Sequence, residues 1–205
     1  MPHDLPTNSN NSFVNDVDFS QRSPSSLTDP LFFERWSPRS FQKHSIKQDQ
    51  LTAIFDAVRW SPSCYNEQPW QFYTSTEKSF DQFLNLLVEA NQLWAKNTSI
   101  IGFITARQFF NKNGKPNAHA DFDTGSAWMA LALQAEKLGL HAHAMAGFDA
   151  SQAKQFFKID PIKERVICAF VIGKRAEPEK LPANLSAIEK PSARQALSEI
   201  WHIIE

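Results

Sequence analysis

The chain has 205 residues, of which 42% are hydrophobic, and its 17 Phe and 6 Trp can build a substantial core in one domain. The net charge of −1 and the pI near 6.6 do not indicate a nucleic-acid partner. No apolar stretch is long enough to cross a bilayer, so no membrane-spanning segment is predicted. Only 2 Cys occur, without framework spacing, and no N-terminal apolar run resembles a signal peptide. We therefore expect a cytoplasmic protein.

Glycine is scarce, and its spacing excludes two common phosphate-binding motifs. The closest two of the six glycines, Gly139 and Gly147, are eight residues apart. The chain therefore has neither the G-x-G-x-x-G fingerprint nor a phosphate loop. A nucleotide-like cofactor would have to be held by cationic side chains.

Residues 1–28 are dominated by Ser, Asn, Pro, Thr and Asp, which predicts a disordered or loosely docked arm. Asp29 and Pro30 then suit the N-cap and first position of a short helix. Pro38 should end this helix in the motif Arg35-Trp-Ser-Pro-Arg39. Two arginines four residues apart suit an anionic ligand. The alternative is an exposed basic turn with Trp36 packed inward.

A second polar motif separates a predicted amphipathic helix over residues 48–60 from a strand near residues 70–75. Two prolines keep this connecting loop out of the helical conformation. Its hydroxyl and amide groups could hold a heterocycle with mixed donors and acceptors. Alternatively, the loop is a turn that satisfies its own backbone. The motif reads Ser61-Pro-Ser-Cys-Tyr-Asn-Glu-Gln-Pro-Trp70.

The rest of the chain alternates predicted helices and strands. We expect one helix over residues 77–96, a second over 123–138 that ends at Gly139, and a third over 150–157 capped by Asp149. Strands are predicted over 99–104 and 165–173, with a short extended segment over 140–145. The polar segment 107–120 could be a mobile lid. The C-terminal segment has no long periodic element before 196–204, and such an arm must pack against something, for example a second subunit.

A metal site is suggested by His119, His141 and His143. His141 and His143 would lie on the same face of a strand, but no Cys or carboxylate stands at ligand spacing beside them. We therefore predict no metal and interpret them as partly buried strand histidines. Cys64 is a weak candidate nucleophile, because no base is implied near it.

Four motifs together resemble the nitroreductase family of FMN-dependent oxidoreductases. They are Arg35-Trp-Ser-Pro-Arg39, the loop motif ending at Trp70, Ala146-Gly-Phe-Asp149 and Pro191-Ser-Ala-Arg194. The resemblance implies an α+β fold with a mostly antiparallel sheet flanked by helices, in an intertwined homodimer with FMN at the interface. The family-like FMN-binding domain would cover residues 29–205.

The resemblance also implies roles for individual residues. Arg35 and Arg194 look like phosphate anchors, while Trp36 and Ser37 resemble residues that line the ribityl chain. Arg39 stands where the family usually has a cation facing the flavin N1 and O2, and Asn91 matches an amide at the pyrimidine edge. Backbone N–H groups of Ala146 and Gly147 would meet N5. The other subunit would supply the loop residues Pro62, Ser63, Cys64, Asn66 and Gln68.

The implied function is hydride transfer from NADH or NADPH through flavin N5 to a small acceptor, such as a nitroaromatic, quinone or enone, by a ping-pong mechanism. No catalytic side chain is predicted. Ser192 departs from the family, where a second cation is usual, and Lys190 or Lys174 could compensate. Two alternatives stay open: a flavin-binding store or sensor without turnover, and a specialised carbonyl reductase of the same fold.

Overall fold

The computed structural model describes residues 17–204 of the chain, which form an α+β domain as expected. Positions 1–16 of the predicted arm lie outside this range. The strands are β1 (Phe41–Gln42), β2 (Trp70–Thr74), β3 (Ile100–Arg107), β4 (His141–Met145) and β5 (Glu164–Arg175). The helices are α1 (Pro30–Glu34), α2 (Gln48–Arg59), α3 (Phe80–Leu84), α4 (Glu89–Ala95), α5 (Ala120–Lys137), α6 (Ala150–Phe156) and α7 (Ala183–Ser186).

The five strands form one sheet with β3 and β5 at its centre. β3 pairs with β2 on one side and with β5 on the other, and β4 and β1 pair with different parts of the same strand, β5. Every one of these pairings is antiparallel. The mostly antiparallel sheet that the resemblance implies is therefore confirmed.

The two faces of the sheet carry two separate hydrophobic clusters. Successive side chains of a strand point to opposite faces, so the neighbours Phe103 and Ile104 of β3 belong to different clusters. Phe103 packs with α3 and α4, including the buried Trp94. Ile104 packs with α2 and with the small residues of α5, such as Ala127. Near its N-terminal end α5 contacts the loop that contains Cys64, and near its C-terminal end it lies within electrostatic reach of Arg35.

The single helix predicted over residues 77–96 is wrong, because the structure divides it into α3 and α4. The intervening backbone forms bonds with residues 147–149 instead of continuing the helix. The Asp149 N–H donates to the Leu86 carbonyl at 2.8 Å, and the Val88 N–H donates to the Gly147 carbonyl at 3.1 Å. These two hydrogen bonds interrupt the helix. The next helix, α4, begins after them, and Asn91 comes to lie beside Gly147.

Beyond β5 the chain has little regular structure. The periodic element predicted over 196–204 is only one 3-10 turn, Leu197–Glu199. Large apolar side chains of this segment are exposed, including Ile200, Trp201 and Ile203. This arm therefore presents apolar surface that its own domain does not cover.

Candidate functional site

Arg35 lies immediately after α1 and is partly buried. Its Nη1 donates to the Ser37 hydroxyl at 3.3 Å. Its buried Nε has no hydrogen-bond partner among residues 17–204. An unsatisfied buried donor is costly, and more so when it carries charge. The arrangement therefore leaves a cationic donor suited to an anion.

Two further guanidinium groups accompany Arg35. Arg194 turns back on its own segment, where Nη1 donates to the Ser192 hydroxyl at 3.0 Å. Arg22 donates from Nε to the Ser192 carbonyl at 3.1 Å and from Nη1 to the carbonyls of Arg35, at 3.1 Å, and Phe33. Burial lowers the pKa of both Arg22 and Arg35, and the positive charge of Arg194 lowers each further. The electrostatic interaction among these three cations defines a candidate anion site.

Arg22 was not predicted as a site residue. It lies in the segment predicted to be a disordered or loosely docked arm, and here that segment contacts the domain through Arg22. One sequence signal could have identified it: Arg22 is the only Lys or Arg that precedes Arg35 in the chain. In this Ser- and Asn-rich segment, Arg22 is the side chain whose positive charge suits an anionic ligand.

Glu136, in the last turn of α5, is the acidic group that interacts electrostatically with Arg22 and Arg35. Burial raises its pKa to about 7, although Arg35 acts in the opposite direction. Its Oε2 is 3.7 Å from His141 Nε2. Burial, followed by Arg175, lowers the pKa of His141 to about 3. The histidine is therefore neutral at pH 7, the contact is not an ion pair, and Glu136 is only partly ionised. It does not neutralise three arginines.

The C-terminal segment holds the turn between Arg35 and Arg39 through hydrogen bonds. The Glu189 carboxylate accepts hydrogen bonds from the backbone N–H groups of Arg39, at 2.6 Å, and Ser40, at 2.7 Å. Trp36 is buried beneath the turn. His143 Nδ1 donates to the Pro38 carbonyl at 2.8 Å, and burial lowers the pKa of His143 to about 4. These contacts fix the backbone from which the arginines project.

Asn91 and Gly147, predicted from separate motifs, come together in the structure. Asn91 Nδ2 donates to the Gly147 carbonyl at 2.9 Å. A Cβ at position 147 would lie 2.6 Å from that nitrogen and 2.8 Å from Val88 Cγ2. A side chain at position 147 would therefore have to displace Asn91 or Val88, which favours glycine there. Ala146, the preceding residue, is exposed.

The loop over residues 62–68 is held in a strained conformation. Three of its residues that are not glycine have positive φ: Tyr65 (52°), Asn66 (58°) and Gln68 (47°). Such conformations cost about 1–3 kcal/mol each and cluster at functional sites. Asp123 of α5 accepts from the Cys64 N–H at 3.0 Å, and Ser63 Oγ accepts from the Gln68 N–H at 3.0 Å. Pro62 is exposed at the start of the loop.

The loop and the arginines lie near opposite ends of α5. Asp123 holds the loop, whereas Glu136 interacts with the arginines. The helical rise between these two positions corresponds to about 20 Å along the axis. The structure thus brings Arg35 under the electrostatic influence of Arg194, keeps Trp36, Ser37 and Arg39 in the same turn as Arg35, and brings Asn91 to Gly147, the neighbour of Ala146. It does not bring the loop of the same chain to the arginines.

Between the two ends, α5 presents an exposed apolar face. Phe122 is 78% exposed and Met129 is 36% exposed. Nothing lies within 4 Å of a Cβ built on Gly125, which lies between them in sequence. An exposed apolar patch commonly marks an interaction surface.

Two other kinds of site are absent from residues 17–204. They contain no group of three or more His, Cys, Asp or Glu side chains that could hold a metal ion. No helix in this part of the chain has the length and apolar character needed to cross a membrane.

Comparison with known proteins identifies the fold. A model described as the Nitroreductase family matches residues 33–97 and 86–174, which together exceed half of the chain. A solved structure described as an oxidoreductase containing FMN is 36% identical; the match covers 88% of this chain and 93% of that one, with a TM-score of 0.84. A nitroreductase family protein from Clostridium difficile 630 shares the fold at 22% identity and a TM-score of 0.64, over 84% of this chain and 95% of that one.

Among curated relatives, a Stenotrophomonas maltophilia (strain R551-3) protein carries the name NADH dehydrogenase/NAD(P)H nitroreductase. It is 27% identical over 148 residues, which are 63% of this chain and 76% of the relative. The chain described here belongs to the nitroreductase family.

Proposed function

We propose that this protein is an FMN-dependent oxidoreductase that takes hydride from NADH or NADPH and reduces a small acceptor, such as a nitroaromatic, quinone or enone, by a ping-pong mechanism. Family membership supports the class of reaction. The names of the relatives support the nicotinamide donor and the flavin. The acceptor and the ping-pong order are our inference.

The observation that carries the proposal is the buried, unpartnered Nε of Arg35 beside Arg22 and Arg194. A phosphate monoester carries about −1.5 to −2 charges at pH 7. Guanidinium groups bind phosphate with charge-assisted and often bidentate hydrogen bonds. A site with cationic side chains also agrees with a sequence that lacks a glycine-rich phosphate loop. The residues present therefore fit the phosphate of FMN.

The remaining site residues would bind the rest of the cofactor. Trp36 and Ser37 would line the ribityl chain, and Asn91 would orient the pyrimidine edge. Arg39 would place a fixed cation near N1 and O2, where negative charge increases on reduction. Backbone N–H groups of Ala146 and Gly147 would face N5. When bound, FMN would supply the hydride-accepting atom, whereas the protein supplies position and electrostatics.

We further propose that the site is completed in a homodimer, where the loop of one subunit reaches the arginines of the other. Within one chain the two groups are about 20 Å apart along α5. The exposed Phe122 and Met129 on α5, and the exposed Ile200 and Trp201 of the C-terminal arm, support a large apolar interface. The loop residues Pro62, Ser63, Cys64, Asn66 and Gln68 would then contact the flavin of the partner.

We propose a cytoplasmic location. Cys64 and Cys168 are the only cysteines of the chain, and both are free thiols in the structure. Proteins without disulfides are typical of reducing compartments.

The test is anaerobic reduction of the FMN-loaded protein, followed by its absorbance. We expect NADH or NADPH to bleach the flavin and a quinone or nitroaromatic to restore its colour. Arg59→Ala, which alters an exposed arginine paired with Asp56, is the matched control and should behave as wild type. Bleaching by neither nucleotide would favour a flavin store or sensor. Failure to bind FMN would refute the proposal altogether.

A further inference from the structure

Arg22 is fixed between the segments that carry the two expected phosphate anchors. Its Nε donates to the carbonyl of Ser192, two residues before Arg194, and its Nη1 donates to the carbonyl of Arg35 itself. A second bond from Nη1 reaches Phe33. A guanidinium group has five N–H donors. These three bonds use the N–H of Nε and both N–H groups of Nη1. They do not use the two N–H groups of Nη2.

The position of Arg22 coincides with a departure of the sequence from its family. The resemblance to the family implies a second cation where this chain has Ser192, and Arg22 donates to the backbone carbonyl of that residue. Arg22 therefore supplies a positive charge where the side chain at position 192 does not. The anchor comes from the N-terminal segment, at a sequence separation of 170.

The electrostatics of the cluster favour an anion rather than a purely structural role. Three guanidinium groups repel one another, and their acidic neighbour Glu136 lies in a buried environment that disfavours its ionised form. If Arg22 served only to tie three carbonyl groups together, a neutral donor would do so without this repulsion. A bound phosphate relieves the repulsion.

We propose that Arg22 is a third phosphate-binding residue, which replaces the cation missing at position 192 and closes the N-terminal segment over the phosphate. This inference rests on the proposed function, because the phosphate is that of FMN. It predicts that the contribution of Arg22 to ligand affinity depends on the phosphate and not on the flavin ring.

Binding of FMN and of riboflavin, which lacks the phosphate, separates these contributions. The affinities of wild type, Arg22→Ala and Arg22→Lys for both ligands are measured by fluorescence titration at fixed ionic strength, together with melting temperatures. Arg59→Ala is again the matched control. We expect Arg22→Ala to lose about tenfold or more in FMN affinity, because a hydrogen bond to a charged group is lost. Riboflavin affinity should change less than twofold. Arg22→Lys should recover part of the loss, because an ammonium group still binds phosphate as a point charge.

Each outcome is decisive. An equal loss for FMN and riboflavin, in Arg22→Ala and in Arg22→Lys alike, would mean that Arg22 only fixes the backbone, and it would overturn the inference. Unchanged FMN affinity in Arg22→Ala would overturn it as well. A wild-type protein that binds neither ligand would instead refute the proposed function, which keeps the two failures distinguishable.

Discussion

Glu136 should impose a pH dependence on stability that Glu136→Gln removes. Its carboxyl group is largely buried, and Oε2 has no hydrogen-bond partner within the described part of the chain. Burial raises its pKa to about 7 despite the opposing effect of Arg35. The charged and titratable groups that face it are Arg35, Glu34, Arg175, Arg22 and His141.

Glu136 makes the protein less stable as the pH rises, because the folded state binds its proton more tightly than the unfolded chain does. In the unfolded chain the carboxyl has a pKa near 4.5, so between pH 4.5 and about 7 the folded protein retains a proton that the unfolded chain has lost. The stabilisation is therefore fully present below pH 4.5 and is lost as the pH rises through 7. A pKa of about 7 in place of 4.5 corresponds to about 3 kcal/mol in the free energy of unfolding. Glutamine does not titrate and lacks this dependence.

The buried histidines titrate with the opposite effect. Burial lowers the pKa of His141 to about 3 and that of His143 to about 4. Their contribution is present above the unfolded value of 6.5 and is lost as the pH falls through the folded values. Both histidines remain in the variant. The difference between wild type and Glu136→Gln therefore isolates the carboxyl group.

Urea unfolding of the FMN-free protein between pH 4.5 and 8, at constant protein concentration, measures this difference. The stability of wild type relative to Glu136→Gln should fall by about 3 kcal/mol over that range. Glu77→Gln is the matched control, because it removes a carboxyl group from an exposed position. A difference between wild type and Glu136→Gln that stays constant over this pH range would show that the Glu136 carboxyl is not held protonated, and would refute the reasoning.

Two further predictions concern the cofactor and the dimer. Arg35→Ala should weaken FMN binding at nearly constant reduction potential, since the phosphate charge is the same in both redox states; Arg39→Ala should lower the potential by more than it weakens binding of oxidised FMN. Potentiometric titration and binding isotherms check this, and an unchanged potential in Arg39→Ala would contradict the role of that residue. Phe122→Glu should shift the protein toward monomer in sedimentation velocity, whereas Ile162→Glu, at a similarly exposed position, should not. A wild-type monomer at micromolar concentration with flavin bound would exclude the proposed dimer.

The ends of several helices were predicted correctly from capping residues in the sequence. The Asp29 side chain accepts from the Leu31 N–H, and Asp149 caps α6. Gly139 has a φ of 70° just beyond α5, as expected of a residue that ends a helix. In each case the cap and the groups that it satisfies lie within a few residues of one another. The sequence window therefore contains the whole interaction.

The errors arise where the deciding partner is distant in sequence. Residues 85–88 have helical periodicity, yet the Leu86 carbonyl and the Val88 N–H bond to Asp149 and Gly147, which no local window contains. Glu136 was not predicted at all, because its pKa depends on burial and on arginines from three other segments. Arg22 presents the same difficulty, since its significance depends on carbonyl groups at positions 35 and 192.

The loop over residues 62–68 shows how a correctly identified motif can conceal its main physical property. The prolines predicted a departure from helix, but without a glycine nothing in the motif indicated three positive φ angles. The strain is maintained by residues outside the motif: Asp123 holds the Cys64 N–H, and Arg107 donates to the carbonyls of Gln68 and Glu67. These contacts lie within one chain. In the proposed dimer they would hold the loop in place, so that binding would have to supply less of the free energy of ordering it.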